Sequence, residues 1–279
     1  MSERLGRVDG KVAIVAGAGS MPGPGLGIGK AISVVLAREG ARVLLVDSHA
    51  ERAEDTLRMI EDEGGTASVF EGDMTKAADC EAMVAAAVDA FGTVDILVNN
   101  IGAQIVASVP ELTEEEWDRG LDINLRTAFL ASKYTLPVML EQGHGSIVNV
   151  SSISALRGSG AVVYSTAKGA LLAMTIDMAY CHGRQGVRVN AVVPGHVVTP
   201  MIADYYGGPG PRLDYVTKLR AAAGFLGTEG SGWDVAAAVA FLASDEARWI
   251  TGVALPVDAG MLGAMPMVMS QYMSQVPRP

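Results

Sequence analysis

The sequence has few cysteines, few aromatic residues and little positive charge. Its two cysteines, Cys80 and Cys181, stand far apart with no CxxC pattern, so it encodes neither a disulfide framework nor a zinc site, and we expect a reducing cytoplasm. Lysine and arginine number 21 against 31 aspartate and glutamate residues, which gives a formal net charge of -10. Because nucleic-acid binding needs clustered basic residues, we expect no nucleic-acid partner.

A long hydrophobic run is also lacking. The most apolar stretches, such as residues 235–243, fall short of the roughly 18 to 20 residues that span a bilayer. The first residues, MSERLGRVDG, lack the apolar core of a secretion signal. We therefore expect a cytoplasmic protein with no membrane partner. The histidines show no spacing typical of metal ligands, which predicts surface or loop positions and no metal site: His49, His144, His182 and His196.

What the sequence does contain is an alternation of short β-branched runs with longer segments of helical period, typical of repeated strand–helix units. Candidate strands are residues 12–16, 42–47, 66–70, 96–99, 146–150, 188–193 and 254–258. Candidate helices are residues 26–39, 50–63, 76–91, 114–140, 161–184 and 231–242. Thr113, followed by three glutamates, predicts a capping box at the start of the fourth helix.

This alternation predicts an α/β fold with a doubly wound, Rossmann-type, seven-stranded parallel sheet. Several strands are apolar almost throughout, so helices should cover both faces of the sheet. A length of 279 residues with no dividing linker predicts a single dinucleotide-binding and catalytic domain over residues 1–279.

A glycine-rich loop, AGAGSMPGPGLGIG, follows the first predicted strand and precedes a helix. Bare backbone in such a loop can approach a pyrophosphate, and the N–H groups at the helix start point at it. We place Gly17 at the turn and Gly27 and Gly29 at the helix, so that residues 21–26 form an excursion. Registers that begin at Gly19 or Gly23 fit a GxxxGxG pattern as well.

Asp47 ends the second predicted strand. It stands close to the roughly 20-residue offset from the glycine loop at which an acid accepts both hydroxyls of the adenosine ribose. The 2′-phosphate of NADP would be repelled by that carboxylate, and Ser48 and His49 offer it no fixed cation. Arg52, one helical turn away, is the residue that argues the other way. The expected cofactor is therefore NAD rather than NADP.

Tyr164 and Lys168 stand four residues apart in YSTAK, at the start of a predicted helix. This separation places both side chains on one helix face, one turn apart. A phenol with a pKa of about 10 is a poor acid–base catalyst at neutral pH, but a nearby ammonium stabilises the phenolate and lowers that pKa. We predict that Lys168 supplies this cation to Tyr164.

With these features the chain resembles the short-chain dehydrogenase/reductase family over essentially its whole length, from Lys11 to about Gly260. The motifs that carry the resemblance are GIG at 27–29, GDMT around Asp73, NNIG at 99–102, LDINL around Asn124, IVNVSS at 147–152, YSTAK, PGHVVT at 194–199 and ITGVALPVDAG at 250–260. The resemblance implies an oxidoreductase that transfers a hydride between a nicotinamide cofactor and an alcohol or its ketone.

The resemblance also implies roles for single residues. Tyr164 would exchange a proton with the substrate oxygen, Ser152 would hydrogen-bond that oxygen, and Lys168 would hold the nicotinamide ribose and lower the pKa of Tyr164. Asn124 would complete a tetrad and organise a water that leads from the lysine to bulk solvent. The expected cofactor-binding residues are Gly17, Gly27, Ile28, Gly29, Asp47, Asp73, Met74, Asn100, Tyr164, Lys168, Pro194, Val197 and Thr199.

The serine of this set has competitors, because Ser151, Ser152 and Ser154 all follow the fifth predicted strand. Neighbours at a strand end point to opposite sides, so only one of the first two can face the substrate. The family's usual spacing to the tyrosine selects Ser151, whereas the second position of the SS pair selects Ser152. We choose Ser152, which a one-residue deletion in the following loop reconciles with the spacing.

Three positions depart from the family pattern: the excursion at 21–26, Ala16 in place of a common threonine, and Ile101 in NNIG, which we expect to pack. In its glycine-loop insertion the chain also resembles enoyl-thioester reductases, which reduce C=C bonds. The spacing between tyrosine and lysine in those enzymes is longer than the four residues found here. Extended epimerases carry a longer C-terminal domain. A non-catalytic redox sensor or scaffold stays an alternative, although such a protein need not keep the tetrad.

The family places its substrate lid at about 196–230. Acidic and basic residues there cancel, so a strongly anionic substrate is not indicated: Asp204, Asp214 and Glu229 against Arg212, Lys218 and Arg220. One arginine could still clamp a carboxylate. An apolar wall is expected from Tyr205, Tyr206, Leu213, Tyr215, Phe225 and Leu226. These residues predict a moderately hydrophobic secondary alcohol and its ketone as substrates.

The tail at about 261–279 is rich in methionine. It is either disordered or docked near the active site, on its own subunit or a neighbouring one, because an exposed strip of methionines is costly in water. The resemblance further implies a homotetramer, whose interfaces are the helices that begin at Glu114 and Ala161 and the last strand.

Overall fold

A computed structural model describes residues 6–277 of the chain. Its strands are β1 (Val12–Ala16), β2 (Arg42–Asp47), β3 (Thr66–Glu71), β4 (Ile96–Asn99), β5 (Gly145–Val150), β6 (Val187–Pro194) and β7 (Ala254–Val257). They form one parallel sheet in the order β3-β2-β1-β4-β5-β6-β7. The predicted doubly wound seven-stranded fold is confirmed, and its strand order reverses between β1 and β4.

Helices cover both faces of the sheet. The helices are α1 (Ile28–Arg38), α2 (Ala50–Asp62), α3 (Ala77–Phe91), α4 (Glu114–Leu121), α5 (Thr127–Gln142), α6 (Val162–His182), α7 (Pro200–Tyr205), α8 (Pro211–Ala222), α9 (Gly232–Ala243) and α10 (Pro266–Met273). Alternate strand residues point to opposite faces: Ala13 and Val15 pack in one core with α1 and α9, and Ile14 packs in the other with α3 and α5. The central strands β1, β2 and β4 are apolar almost throughout and are buried on both faces, whereas the edge strands β3 and β7 are partly exposed.

The prediction of one continuous helix at 114–140 is wrong. This segment is divided into α4 and α5 by a π-helical turn, Asp122–Arg126. The predicted cap at its start is present, since the Thr113 hydroxyl accepts from the Glu116 N–H at 3.1 Å and the Glu116 carboxylate accepts from the Thr113 N–H at 3.1 Å. The hydrophobic period alone did not reveal the turn, because a π-bulge inserts one residue without ending the helix. The other predicted elements agree with the observed bounds to within two residues.

The lid and the tail contain helices that the sequence did not predict. The lid at 196–230 folds into α7 and α8, each opened by a proline in its first turn. The described part of the tail forms a 3-10 turn, Met261–Gly263, and then α10, which packs against α8 of the same chain. Its last two residues, like the first five of the predicted domain, lie outside the described residues. Of the two expectations for the tail, docking on its own chain is the one observed.

Candidate active site

A large cleft of about 1700 Å³ opens at the carboxyl ends of the strands. Residues from five consecutive strand ends line it: Gly17 after β1, Asp47 in β2, Asn100 after β4, Ser152 after β5 and Pro194 in β6. The reversal of strand order between β1 and β4 lies at its centre, where doubly wound sheets bind ligands. The sequence-predicted residues are therefore brought together at one edge of the sheet.

The glycine loop forms the floor of one end of the cleft. Gly17 has a φ of 82°, and a Cβ on Gly29 would lie 1.8 Å from the Gly17 carbonyl oxygen, so both positions require glycine. The Asn100 side-chain amide donates to that same carbonyl at 2.9 Å. Helix α1 begins with Gly27 as its N-cap, with no side-chain cap and no acid in its first turn. Its N–H groups therefore suit a phosphate.

The excursion at 21–26 reaches across to the start of the lid. Gly23 and Gly25 both have positive φ and pack on the segment before α7. A Cβ on Gly25 would lie 2.6 Å from the Val198 carbonyl oxygen, and one on Gly23 would lie 3.4 Å from Pro200. Gly27 joins the helix and Gly17 makes the turn, as in the register that we prefer.

An acid and a base both line the expected ribose end of the cleft. The Asp47 carboxylate accepts hydrogen bonds from the backbone N–H groups of Gly19 at 3.1 Å and His49 at 3.2 Å. Arg52 lies beside it, because a Cβ on Gly19 would be 2.6 Å from both Asp47 Oδ2 and Arg52 Cβ. This end can accept ribose hydroxyls at Asp47, and Arg52 supplies a cation next to them.

Asp73 and Met74 line the same end of the cleft. Asp73 Oδ1 accepts from the Thr75 hydroxyl at 2.7 Å and from the Thr75 N–H at 3.0 Å. The hydroxyl contact is the main cause that lowers the pKa of Asp73. Met74 is buried. These contacts hold the loop after β3 against the cleft.

Lys168 is buried in α6 beneath Tyr164. Its Nζ donates to the carbonyl oxygens of Val150 at 2.9 Å and Ile101 at 3.2 Å, and it lies 5.8 Å from the centre of the Tyr164 ring. Only 2% of the residue is exposed, and burial lowers its pKa to about 8. The strand ends of β4 and β5 thus hold the ammonium next to the phenol.

The pKa of Tyr164 differs from the sequence expectation. Burial raises the pKa of the phenol above its usual value, and a hydrogen bond with the Ser152 side chain opposes this and lowers it. Lys168 is not among the causes of the change, because its ammonium donates to two backbone carbonyls. In this structure the phenol is therefore protonated at neutral pH.

The three candidate serines have different partners. The Ser151 hydroxyl is buried and donates to the Lys168 carbonyl at 2.8 Å, which ties α6 to β5. Ser152 lines the cleft, hydrogen-bonds with Tyr164 and accepts from the Ser154 N–H at 3.2 Å. Among these serines, Ser152 is the one whose side chain meets the tyrosine.

Asn124 lies in the π-helical turn and is 1% exposed. Its side chain accepts from the Ala103 N–H at 3.0 Å and donates to the carbonyls of Ala103 and Gly120, each at 2.9 Å. A Cβ on Gly102 would lie 3.2 Å from Asn124 Oδ1 and 3.3 Å from Lys168 Nζ. The asparagine and the lysine therefore flank one glycine of the cleft wall. Its role in a water path stays a prediction.

The segment after β6 forms the opposite rim. Val197 pairs with Gly230 in an isolated bridge, and the Thr199 hydroxyl accepts from the Ile202 N–H at 3.4 Å to cap α7. Both residues line the cleft, as does Pro194. His196, predicted as a surface or loop residue, is in a loop but is half-buried in this wall, where burial and then the charge of Arg220 lower its pKa to about 4.

The substrate wall differs from the predicted one. Of the six predicted residues, only Tyr205 and Tyr206 line the cleft. The others, which do not, are Leu213 and Tyr215 in α8 and Phe225 and Leu226 after it. The wall instead includes one face of α8 and part of the tail: Val216, Leu219, Arg220, Ala223, Met261, Ala264, Pro266, Met269 and Met273. The helical spacing of the α8 residues was a usable signal, whereas nothing local showed where the tail packs. Ile101 also lines the cleft and packs on the core behind it.

No helix within residues 6–277 is long and apolar enough to cross a membrane. In the same part of the chain, no group of three or more histidine, cysteine, aspartate or glutamate side chains is arranged to hold a metal ion.

Comparison with known proteins shows what this chain is similar to. A family model described as enoyl-(acyl carrier protein) reductase matches residues 23–262. The chain is 40% identical over 243 residues to 2-(S)-hydroxypropyl-CoM dehydrogenase 3 of Xanthobacter autotrophicus, covering 87% of this chain and 95% of that protein. It is 40% identical over 256 residues to 4-formylbenzenesulfonate dehydrogenase of Comamonas testosteroni, covering 90% and 97%. A solved structure from Burkholderia xenovorans, described as a short-chain dehydrogenase/reductase, has a TM-score of 0.87 and 42% identity over 93% of this chain and 99% of that one.

Proposed function

Since the chain belongs to the short-chain dehydrogenase/reductase family, we propose that it is an NAD-dependent oxidoreductase that interconverts a moderately hydrophobic secondary alcohol and its ketone. The observation that carries this proposal is the position of Tyr164 in the cleft, hydrogen-bonded with Ser152 and directly above the buried ammonium of Lys168. A hydroxyl or carbonyl oxygen between Ser152 and Tyr164 would meet two hydrogen-bond partners.

A bound nicotinamide would supply the hydride chemistry at the carbinol carbon in both directions. The chain holds and protonates the oxygen. In reduction, Tyr164 gives its phenolic proton to the ketone oxygen while Ser152 donates a hydrogen bond to it. In oxidation, the proton moves from the alcohol to the Tyr164 phenolate. In the structure, burial opposes formation of that phenolate and the Ser152 side chain favours it, while the Lys168 ammonium lies 5.8 Å from the centre of the ring.

The proton must then leave the buried site. Lys168 and Asn124 flank Gly102, which lines the cleft. We assign Asn124 the role of positioning a water next to Lys168, so that the proton passes from Tyr164 through the lysine to solvent. Asn124→Ala should lower kcat while leaving the affinity for the cofactor unchanged, and an equal change in both would contradict the assignment.

The residues around the glycine loop suit a dinucleotide. The uncapped start of α1 would hold the pyrophosphate, Asp47 would accept the ribose hydroxyls, and Asn100 would support the loop from below. The NAD preference depends on Asp47 outweighing Arg52. The ratio of kcat/KM for NAD over NADP tests it, and Asp47→Ala should lower that ratio whereas Arg52→Ala should raise it. A wild-type preference for NADP would contradict this assignment.

The first experiment is a screen of hydrophobic secondary alcohols with NAD, followed by the absorbance of the reduced nicotinamide. Ser152→Ala should reduce turnover sharply, and Ser151→Ala serves as the matched control, because its hydroxyl donates to a backbone carbonyl. The two dehydrogenases among the relatives support the choice of oxidation as the assayed direction. Equal loss in both serine variants would contradict the role given to Ser152.

A second candidate is reduction of an enoyl thioester. Two observations favour it: the description of the matching family model and the excursion at 21–26. The spacing of four between Tyr164 and Lys168 and the contact of Ser152 with Tyr164 favour the alcohol/ketone reaction. Consumption of NADH with a crotonyl thioester but with no ketone would select the second candidate. A sensor or scaffold without catalysis predicts no turnover of either substrate.

We also propose a homotetramer in the cytoplasm. Large apolar side chains are exposed on the outer faces of α5 and α6 and beside β7: Phe129, Ile176, Tyr180, Trp249 and Val253. Tyr180 is 86% and Trp249 91% exposed, which is costly in a monomer. Both cysteines are free, as expected in a reducing compartment. Light scattering of the purified protein tests the assembly, and cell fractionation tests the location.

A further inference from the structure

The lid presents only one of its charges to the cleft. Of its six charged side chains, only Arg220 lines the cleft wall. The five that do not are Asp204, Arg212, Asp214, Lys218 and Glu229. The sum of lid charges is close to zero, as the sequence indicated, but the charge that a substrate meets there is positive. The arrangement of α8 produces this difference, since Arg220 shares the inward face with Val216, Leu219 and Ala223.

Arg220 lacks an anionic partner among the described residues. No carboxylate within residues 6–277 forms an ion pair with it, and its guanidinium lies 5.8 Å from the centre of the Tyr206 ring. The side chain is half-buried, and burial lowers its pKa. A partly desolvated guanidinium without a counter-ion is unfavourable, and an anion bound by its fork of N–H donors would offset that cost.

Two neighbours leave Arg220 available to a ligand. Beside Arg220, the buried His196 Nδ1 atom has no partner of ordinary hydrogen-bond geometry within residues 6–277, and the imidazole lies close to the Arg220 backbone. The low pKa of His196 keeps that imidazole neutral, so it does not compete for the anion as a second cation. The other cleft arginine near the tail, Arg157, is exposed and already donates to the Leu262 carbonyl. Arg220 is thus the half-buried cation of the substrate wall that is still open to a ligand.

We propose that Arg220 binds an anionic oxygen group of the substrate, a carboxylate or a sulfonate, while the apolar face of α8 and the Met269 side chain of the tail hold its hydrophobic body. This inference rests on the proposed function and narrows its substrate class to an amphiphilic secondary alcohol or ketone. The sequence left one arginine open as a carboxylate clamp although the lid charges cancel, and Arg220 is the one that lines the cleft.

The chain offers a matched control for Arg220. The Arg212 guanidinium also lies over the Tyr206 ring, at 5.6 Å, but Arg212 is exposed and does not line the cleft. Arg212→Met removes a cation and the same kind of ring contact without removing a cleft residue. Any effect that follows from net charge or from Tyr206 alone should appear in both variants.

The test compares 4-(1-hydroxyethyl)benzoate with 1-phenylethanol, which differ by one carboxylate, as substrates with NAD. The wild-type ratio of kcat/KM should favour the carboxylate. Arg220→Met should lower this ratio by about tenfold to a hundredfold, the range expected for a charge-assisted hydrogen bond. Arg220→Lys, which keeps the charge but loses the planar fork, should retain part of the preference, and Arg212→Met should keep the wild-type ratio.

Binding gives a second readout that needs no turnover. Calorimetric titration of the NAD-loaded enzyme with 4-acetylbenzoate and acetophenone, which cannot react because cofactor and ligand are both oxidised, should show the same order among the variants. An unchanged ratio in Arg220→Met, an equal loss in Arg212→Met, or wild-type binding with no preference for 4-acetylbenzoate overturns the inference. Oxidation of 1-phenylethanol together with an unchanged ratio leaves the proposed function in place. Selective binding without turnover of either alcohol supports the anion site and counts against the proposed function.

Discussion

Replacing Lys168 with methionine should change how the free energy of unfolding depends on pH. The lysine is 2% exposed, and burial lowers its pKa from 10.5 to about 8. A group whose pKa is lower in the folded protein is deprotonated there first, so between about pH 8 and 10.5 the unfolded chain binds more protons than the folded one. The contribution of Lys168 to the free energy of unfolding therefore rises with pH across this window.

The size of this rise follows from the same pKa values. At about 1.36 kcal/mol per pKa unit, the difference corresponds to about 3 kcal/mol between neutral pH and pH 10.5. Methionine keeps an unbranched side chain without the charge, so the variant lacks the rise. The carbonyls of Ile101 and Val150 lose a donor in the variant. That cost is present at every pH, so it lowers the free energy of unfolding by a similar amount throughout and changes its dependence on pH much less.

The assay is urea unfolding at several values between pH 7 and pH 10, at one protein concentration, followed by circular dichroism. The quantity of interest is the difference in free energy of unfolding between the wild type and Lys168→Met, in which the other titrating groups cancel. Lys133→Met is the matched control, because Lys133 is exposed. Parallel curves for wild type and Lys168→Met, or the same divergence in Lys133→Met, would refute the reasoning from burial. The Lys168 variant should also lose activity.

Three further outcomes are expected. Tyr164→Phe should lower kcat by about 10²- to 10⁴-fold while the enzyme still binds NADH, as judged by cofactor fluorescence. Because burial raises the pKa of Tyr164, the rate of oxidation by the wild type should increase above neutral pH. A flat pH profile would contradict this role. Gly29→Ala should weaken NADH binding at least about tenfold, because its Cβ would lie 1.8 Å from the Gly17 carbonyl, whereas Gly183→Ala meets nothing within 4 Å and should bind normally. Deleting residues 264–279 should raise KM for the substrate more than KM for NAD, and unchanged kinetics would show that α10 is dispensable to the wall.

The sheet and the cofactor end of the cleft could be predicted because their signals are local. A parallel strand buried on both faces is apolar throughout, and a helix repeats its apolar residues every three or four positions, so the order of elements is visible along the chain. The glycines of the loop are needed where the backbone turns with positive φ, as at Gly17, or where no Cβ fits, as at Gly29. Asp47 was found for the same reason, since it ends a strand next to that loop.

The substrate end could not be predicted to the same depth. Ser151 and Ser152 are indistinguishable by residue type, and only the packing of α6 on β5 assigns one to the Lys168 carbonyl and the other to Tyr164. The π-helical turn that holds Asn124 leaves the helical pattern almost unchanged. The docking of α10 joins segments far apart in the chain.

By itself, the sequence determined the doubly wound sheet, the glycine loop and the Tyr164–Lys168 pair, because each depends on residues that are neighbours in the chain or on a regular period. The tertiary structure decided how far Lys168 is buried, and therefore that its pKa falls while that of Tyr164 rises. It also decided that Arg220, and none of the lid's acids, faces the cleft. Burial and net local charge are properties of groups brought together by folding, and no count of residues along the chain contains them.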